Sequence, residues 1–200
     1  MGCSSLTTIN ISGWDTSNVV DMQHMFGQCG ALTSLNLRCF DTSNVLDMNS
    51  MFAYCTSLTS LDVSRFDTSK VTNMVTMFHS CRSLTELDIR NFNTSKVTDM
   101  NNMFSYSDKL MKIHTGDKFD TMNVTDMQYM FDRCPELTTV DVSNFNTSKV
   151  TNMERMFYNC KDLAPIDVSN WDTSKVTNMS YKFAGCITIT ELDVSRWDTT

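Results

Sequence analysis

The side chains with most chemical potential in this chain are its eight cysteines, sixteen methionines, three histidines and a surplus of carboxylates. Thiolate beside thioether suits Cu(I), ranked carboxylates suit calcium, and a thiol or hydroxyl next to a histidine base suits nucleophilic catalysis. Their spacing argues for packing before any of these. Cys3, Cys29, Cys55, Cys81, Cys134, Cys160 and Cys186 recur in one register, and Met22, Met48, Met74, Met100, Met127, Met153 and Met179 in another. His24, His79 and His114 fall in three different registers, so no nucleophile gains a base in a repeated position. No phosphate-cradling glycine loop is built from the six glycines. The chain therefore reads as a non-enzyme.

The register is set by a fixed period. Trp14, Phe40, Phe66 and Phe92 are 26 residues apart, Phe119 follows after 27, and Phe145, Trp171 and Trp197 resume the step of 26. Cys55 to Ser80 is one full unit, C-T-S-L-T-S-L-D-V-S-R-F-D-T-S-K-V-T-N-M-V-T-M-F-H-S. Leu58, Leu61 and Val63 give L-x-x-L-x-V, a strand signature of leucine-rich repeats. Asp67, Thr68 and Ser69 turn the corner, and the alternation in Val71–Met74 predicts a second short strand. Met74, Met77 and Phe78 stand at i, i+3 and i+4, which predicts a helical turn closing the coil. One coil cannot bury its own apolar side chains, so each must stack on its neighbours. The expected fold is a β-rich, leucine-rich-repeat-like, right-handed parallel β-solenoid with short helical turns. Its seven to eight coils would span about 35 Å at the spacing of parallel strands. Residues 1–200 read as a single repeat domain, and because both ends fall inside a repeat the chain is expected to be part of a longer protein or to associate end to end.

The unit Leu58 to Cys81, L-T-S-L-D-V-S-R-F-D-T-S-K-V-T-N-M-V-T-M-F-H-S-C, resembles the repeat of the BspA-like leucine-rich-repeat surface proteins of bacteria and protists. The resemblance covers essentially the whole chain. It implies a parallel solenoid, an extracellular or cell-surface location, a role in adhesion, and no catalytic residue. No signal peptide or anchor is visible in the sequence itself.

The favoured reading of Cys29, Cys55, Cys81, Cys134, Cys160 and Cys186 is a structural ladder of buried thiols, with bridges between neighbouring coils as the alternative. Met74, Met77 and Phe78 read as core rather than as a metal site. Cys39 stands outside the cysteine register, in a column of Gly, Arg, Asn and Lys, and is expected to be an exposed thiol. Where Phe92 and Phe119 are one residue further apart, Gly116-Asp117-Lys118 carries the extra length, and a bulge is expected with the glycine supplying backbone freedom.

A net charge of −7 argues against nucleic acid as partner, and no apolar run is long enough for membrane insertion. The outward residues of the first strand make a polar column that includes Asp62, Asp88, Asp141, Asp167 and Asp193, with Glu86 and Glu191 beside it. That strip is the candidate contact face for a protein or glycan ligand; its plainer reading is a solvated surface. No cofactor is expected, apart from calcium as an alternative. Thr16, Thr42, Thr68, Thr94, Thr121, Thr147 and Thr173 form a second column, expected to be exposed, for which ice binding is a minor reading. The leading function is a surface-displayed binding or adhesion module. The alternatives are a structural spacer or a calcium-stabilised scaffold.

Overall fold

Parallel pairing between positions one repeat apart runs the length of the chain. In the computed structural model, which describes residues 2–198, Asp21 bridges Asp47, then Asn73, Asp99, Asp126, Asn152 and Asn178 follow in one line. Two N–H groups flank each bridge and point opposite ways. Thr72 donates back to the carbonyl of Leu46 at 2.9 Å, and Met74 donates forward to that of Asp99 at 3.5 Å. This is a repeat fold, and the second predicted strand is reduced to this single bridging residue per coil.

The first predicted strand is more irregular than its sequence suggests. Leu58, Leu61 and Val63 point inward and are buried, but among the described residues continuous pairing forms only between β1 (Glu86–Ile89) and β2 (Lys112–Thr115), parallel and in register from Glu86↔Lys112 to Ile89↔Thr115, with a single further bridge from Lys112 to Thr139. The Asp88 carboxylate accepts the Arg90 N–H at 3.1 Å immediately after β1. A side chain that takes a ladder donor ends the ladder.

The helical turn at Met74–Phe78 is absent, as is every helix among the described residues. Its place is taken by a chain of tight turns. Met77, His79 and Cys81 donate to the carbonyls three residues back, while Thr76, Phe78 and Ser80 donate to Asn101, Met103 and Ser105 of the next coil. Two residues per coil adopt left-handed backbone angles to alternate the N–H directions in this way, here Thr76 (φ 54°) and Ser80 (φ 56°). A lone helical turn fixes many dihedrals for few hydrogen bonds, whereas these turns satisfy a full row of inter-coil bonds. The i, i+3, i+4 spacing reported burial correctly and backbone geometry wrongly.

The core follows the columns. Phe26, Phe52, Phe78, Phe104, Phe131, Phe157 and Phe183 stack with centroids 5.0–5.8 Å apart and planes within 10°. Met48, Met51, Met74 and Met77 are fully buried beside them. Each such side chain contributes about 1.5–3 kcal/mol relative to exposure, so no metal is needed to explain the methionines.

The extra residue is absorbed just after β2, where Lys118 accepts the N–H groups of Thr94 at 3.1 Å and Asp120 at 2.9 Å. Gly116 is required there for a different reason from the one predicted. Its backbone angle is not left-handed; a Cβ at this position would lie 2.2 Å from the Arg90 carbonyl oxygen, so the glycine permits close approach of two coils.

Candidate functional site

The acidic strip is built from Asx turns. Asp62 Oδ1 accepts from the Ser64 N–H at 3.1 Å and its hydroxyl at 2.6 Å, and Asp141 and Asp167 repeat the arrangement with Ser143 and Ser169. Asp193 accepts the Ser195 N–H at 2.9 Å. Side-chain hydrogen bonds from Ser64 and Ser169 hold the Asp62 and Asp167 carboxyls below the ordinary carboxylate range, and the Ser195 N–H does the same for Asp193. Asp88 is lowered furthest, to about 2, chiefly by the Arg90 side chain, whose Nε and Nη2 donate at 3.0 and 2.6 Å. His114 Nε2 lies 3.8 Å from Glu86. At the end of β1 the Arg90 guanidinium therefore offsets the Asp88 charge, and the strip here lines a shallow depression of about 460 Å³ with Ser60, Asp62 and Ser64. Glu191 sits with Asp167 and Asp193 beside a second depression of about 460 Å³. Among the described residues no three His, Cys, Asp or Glu side chains are placed to hold a metal ion.

The threonine column is buried rather than exposed. Thr16, Thr42, Thr68, Thr94, Thr121, Thr147 and Thr173 are all at most 3% accessible. Thr68 Oγ1 donates to the Asn93 carbonyl at 3.0 Å and accepts the Asn93 N–H at 2.8 Å, stitching one corner to the next. This corrects the sequence expectation, and it removes the exposed rank on which ice binding depended. Corner amides deprived of ladder partners must find an acceptor, and an inward hydroxyl supplies it.

All eight cysteines are free, and Cys29, Cys55, Cys81, Cys134 and Cys160 are buried. Cys55, Cys81, Cys134, Cys160 and Cys186 each donate the thiol to a phenylalanine carbonyl at 2.9–3.3 Å. Ser107, which replaces the column cysteine, makes the same bond to Phe78 at 3.2 Å. Burial pushes the Cys55 and Cys134 thiols up to about 12, which keeps them protonated and unreactive. Cys39 is only partly accessible, because its thiol turns inward to the Ile11 carbonyl at 3.1 Å. The expectation of an exposed thiol is corrected accordingly.

A second face escaped the sequence reading. All five tyrosines, Tyr54, Tyr106, Tyr129, Tyr158 and Tyr181, lie on the tight-turn segments. Tyr54 meets His79 edge-on at 4.9 Å, and His79 meets Tyr106 at 5.5 Å. Arg133 then lies between Tyr106 (5.2 Å) and Tyr158 (5.9 Å), and Arg155 between Tyr158 (5.1 Å) and Tyr181 (5.2 Å). The line runs unbroken across six coils. Beneath it, Asp132 is 1% accessible and its Oδ1 has no hydrogen-bond partner. Burial raises the Asp132 carboxyl to about 6 although Arg133 and Arg155 oppose the rise. The sequence signal was available: tyrosine occurs nowhere else, and it occupies the least repetitive columns.

Lys182 breaks the second methionine column. It is 4% accessible, with Nζ 4.4 Å from the Trp171 ring, 4.0 Å from the Trp197 ring and 3.0 Å from Met153 Sδ. Burial pushes its ammonium down to about 7, while the two indole faces favour the charged form.

A family profile described as "Mycoplasma protein of unknown function, DUF285" matches residues 1–116 and again residues 81–197. The two matches overlap and together reach almost the full chain. A solved structure described as a leucine-rich cell surface protein, from Faecalibacterium prausnitzii, is similar at 14% identity and a TM-score of 0.39, over 89% of this chain and 76% of that one. No curated protein matches.

Proposed function

This chain belongs to the DUF285 family, a repeat family of BspA-like type, and from that premise we propose that it is a non-catalytic binding module displayed on a cell surface. Its coils would follow the right-handed parallel β-solenoid of leucine-rich repeats and engage a protein or glycan partner. The observation that supports this reading is the line of parallel bridges from Asp21 to Asn178. It gives a continuous surface of about 29 Å at parallel-strand spacing, with side chains held at fixed intervals. The resemblance of the repeat to that of BspA-like surface proteins is what supports a surface location.

Binding of the purified chain to arrayed matrix proteins and glycans tests the reading. Saturable binding to at least one class is expected; none at micromolar protein sinks it. The strand face is examined by replacing Asp141, Asp167 and Asp193 together with asparagine, which keeps the Asx turns and removes the charge. Undiminished binding would move the contact face elsewhere.

The use of the strip carboxylates as turn caps favours one other reading, a spacer whose polar columns serve only the fold. Excising two whole repeats, residues 30–81, would then shorten reach and leave any attached activity intact. A calcium-stabilised scaffold predicts a melting temperature that falls on adding EDTA, and an unchanged one dismisses it.

A further inference from the structure

We propose that the tyrosine–arginine line is the contact face of this module and that its partner is an acidic polypeptide segment carrying aromatic or apolar side chains between its carboxylates. The inference rests on the reading of the chain as a binding module and names the face and the partner's chemistry.

Three observations on this face converge. Arg133 is exposed, and among the described residues its guanidinium makes no side-chain hydrogen bond; it lies over the rings of Tyr106 and Tyr158 and interacts through space with the Asp132 carboxyl. Held within cation–π range of two rings and exposed to solvent, the guanidinium keeps N–H groups that can meet a carboxylate through two parallel bonds. Arg155 is held in the same manner by Tyr158 and Tyr181, and its Nε, 3.8 Å from Glu154, is buried without a hydrogen-bond partner. Asp132 beneath them keeps an unpaired Oδ1 at 1% accessibility. A buried acceptor and a buried donor that each lack a hydrogen bond are costly, and such cost persists where the surrounding structure over-determines it, often at ligand-binding positions. Tyr and Arg are also the side chains that dominate the energetics of protein contact sites.

The charge pattern separates a polypeptide from a uniform polyanion. The depression bordering Arg133 is also lined by Arg82, Asp108, Pro135 and Lys161, and Arg82 lies 3.9 Å from Asp108. Glu154 accepts a hydrogen bond from Tyr129 at 2.8 Å. Cations thus alternate with acids and apolar surface. An anion on every unit of a sulfated glycan would set some of them against Asp108 and Glu154, whereas a peptide can place carboxylates at the guanidinium edges and rings over Pro135 and the tyrosines.

The test uses the whole chain and three probes: a random copolymer of glutamate and tyrosine, polyglutamate, and heparin. The variant is Arg133→Gln with Arg155→Gln. Gln28 already occupies the left-handed column of Arg133 at φ 62°, so glutamine is compatible with this backbone. The copolymer is expected to bind more tightly than polyglutamate or heparin, and the double variant to bind it at least about tenfold more weakly at unchanged melting temperature. If that variant is destabilised, Arg133→Lys with Arg155→Lys replaces it. The charge is then kept but the planar fork is lost, and a clear weakening is still expected. Equal binding by the variant, a preference for heparin, absence of copolymer binding, or self-association that accounts for the signal in light scattering each overturns the proposal. Loss of copolymer binding through the Asp141, Asp167 and Asp193 substitutions instead would overturn this face while leaving the binding-module reading intact. That broader reading stands or falls on the array experiment.

Discussion

The coil of residues 55–80 and the coil of residues 160–185 follow the same backbone path with different side chains. Thr76 and Tyr181 share a left-handed angle, at φ 54° and 58°, and so do Ser80 and Gly185, at 56° and 84°. Met77 and Lys182 both close a turn to the methionine three residues back, at 3.2 and 3.3 Å. Yet the first coil is apolar and repetitive, and the second places a lysine in the core and a tyrosine on the surface. The stack dictates the path; only some side chains are dictated with it. Where a residue recurs it serves the stack, as the Asx, Thr and Cys columns do. Where it departs, another pressure acts, and the tyrosines, Arg133, Arg155 and Lys182 are those departures.

The largest expected effect comes from exchanging the core residues. Met77→Lys buries an ammonium between phenylalanines, weaker cation partners than indoles, and should cost about 4 kcal/mol or more in denaturant unfolding. Lys182→Met should stabilise the chain by about 2–4 kcal/mol at neutral pH. The pH profile identifies the cause. The Lys182 ammonium is pushed down to about 7 from an ordinary 10.5, so between these values the unfolded chain holds a proton that the folded chain has released. Stability attributable to this group rises with pH across that interval and is lowest below it, and the methionine variant should lack the slope. A retained slope would show that Lys182 is not its source.

Next in size is the corner. Thr68→Val keeps the shape but strands the Asn93 N–H and carbonyl, at about 2–3 kcal/mol, whereas Thr68→Ser should cost under about 1 kcal/mol. Equal losses would mean that packing, and not the hydroxyl, holds the corner.

The turn columns give smaller changes of opposite sign. His24→Gly removes an exposed side chain from a left-handed angle (φ 53°) and should stabilise by about 1 kcal/mol. Gly185→Ala should destabilise, because its Cβ would meet Asn159 Oδ1 at 2.2 Å. Thermal melts of the pair read the difference, and like-signed shifts would contradict the account of these turns.

The smallest effects separate the two kinds of aspartate by acid titration. Strip residues such as Asp62 and Asp167 have carboxyls lowered by serine hydrogen bonds. Their contribution is present above the ordinary carboxylate value of about 4 and is lost as pH falls through the lowered values. Asp132, raised to about 6 by burial, works in reverse. Between about pH 4 and 6 the folded state keeps a proton that the unfolded state has lost, so stability falls as pH rises through that interval. Asp132→Asn should flatten the fall, and Asp167→Asn should flatten the acid loss. Calorimetry at several pH values distinguishes them.

The repeat, its 26-residue step, its apolar columns and the position of the extra residue near Gly116 were all legible in the sequence. Identical apolar side chains must stack when no coil can bury its own, so periodicity combined with apolarity reports who is inside. Periodicity does not report which backbone shape delivers them. Met74, Met77 and Phe78 share a face in a helix and equally in a run of tight turns, and the choice went to the turns because their N–H groups reach the next coil. Nor does it say whether a hydroxyl at a corner faces water or a neighbouring amide, which is why the threonine column was misplaced and Cys39 assigned to the surface. The tyrosine–arginine line lies furthest beyond the sequence. Its members sit in three different columns, and only the offset of successive coils brings Tyr106, Arg133, Tyr158 and Arg155 face to face.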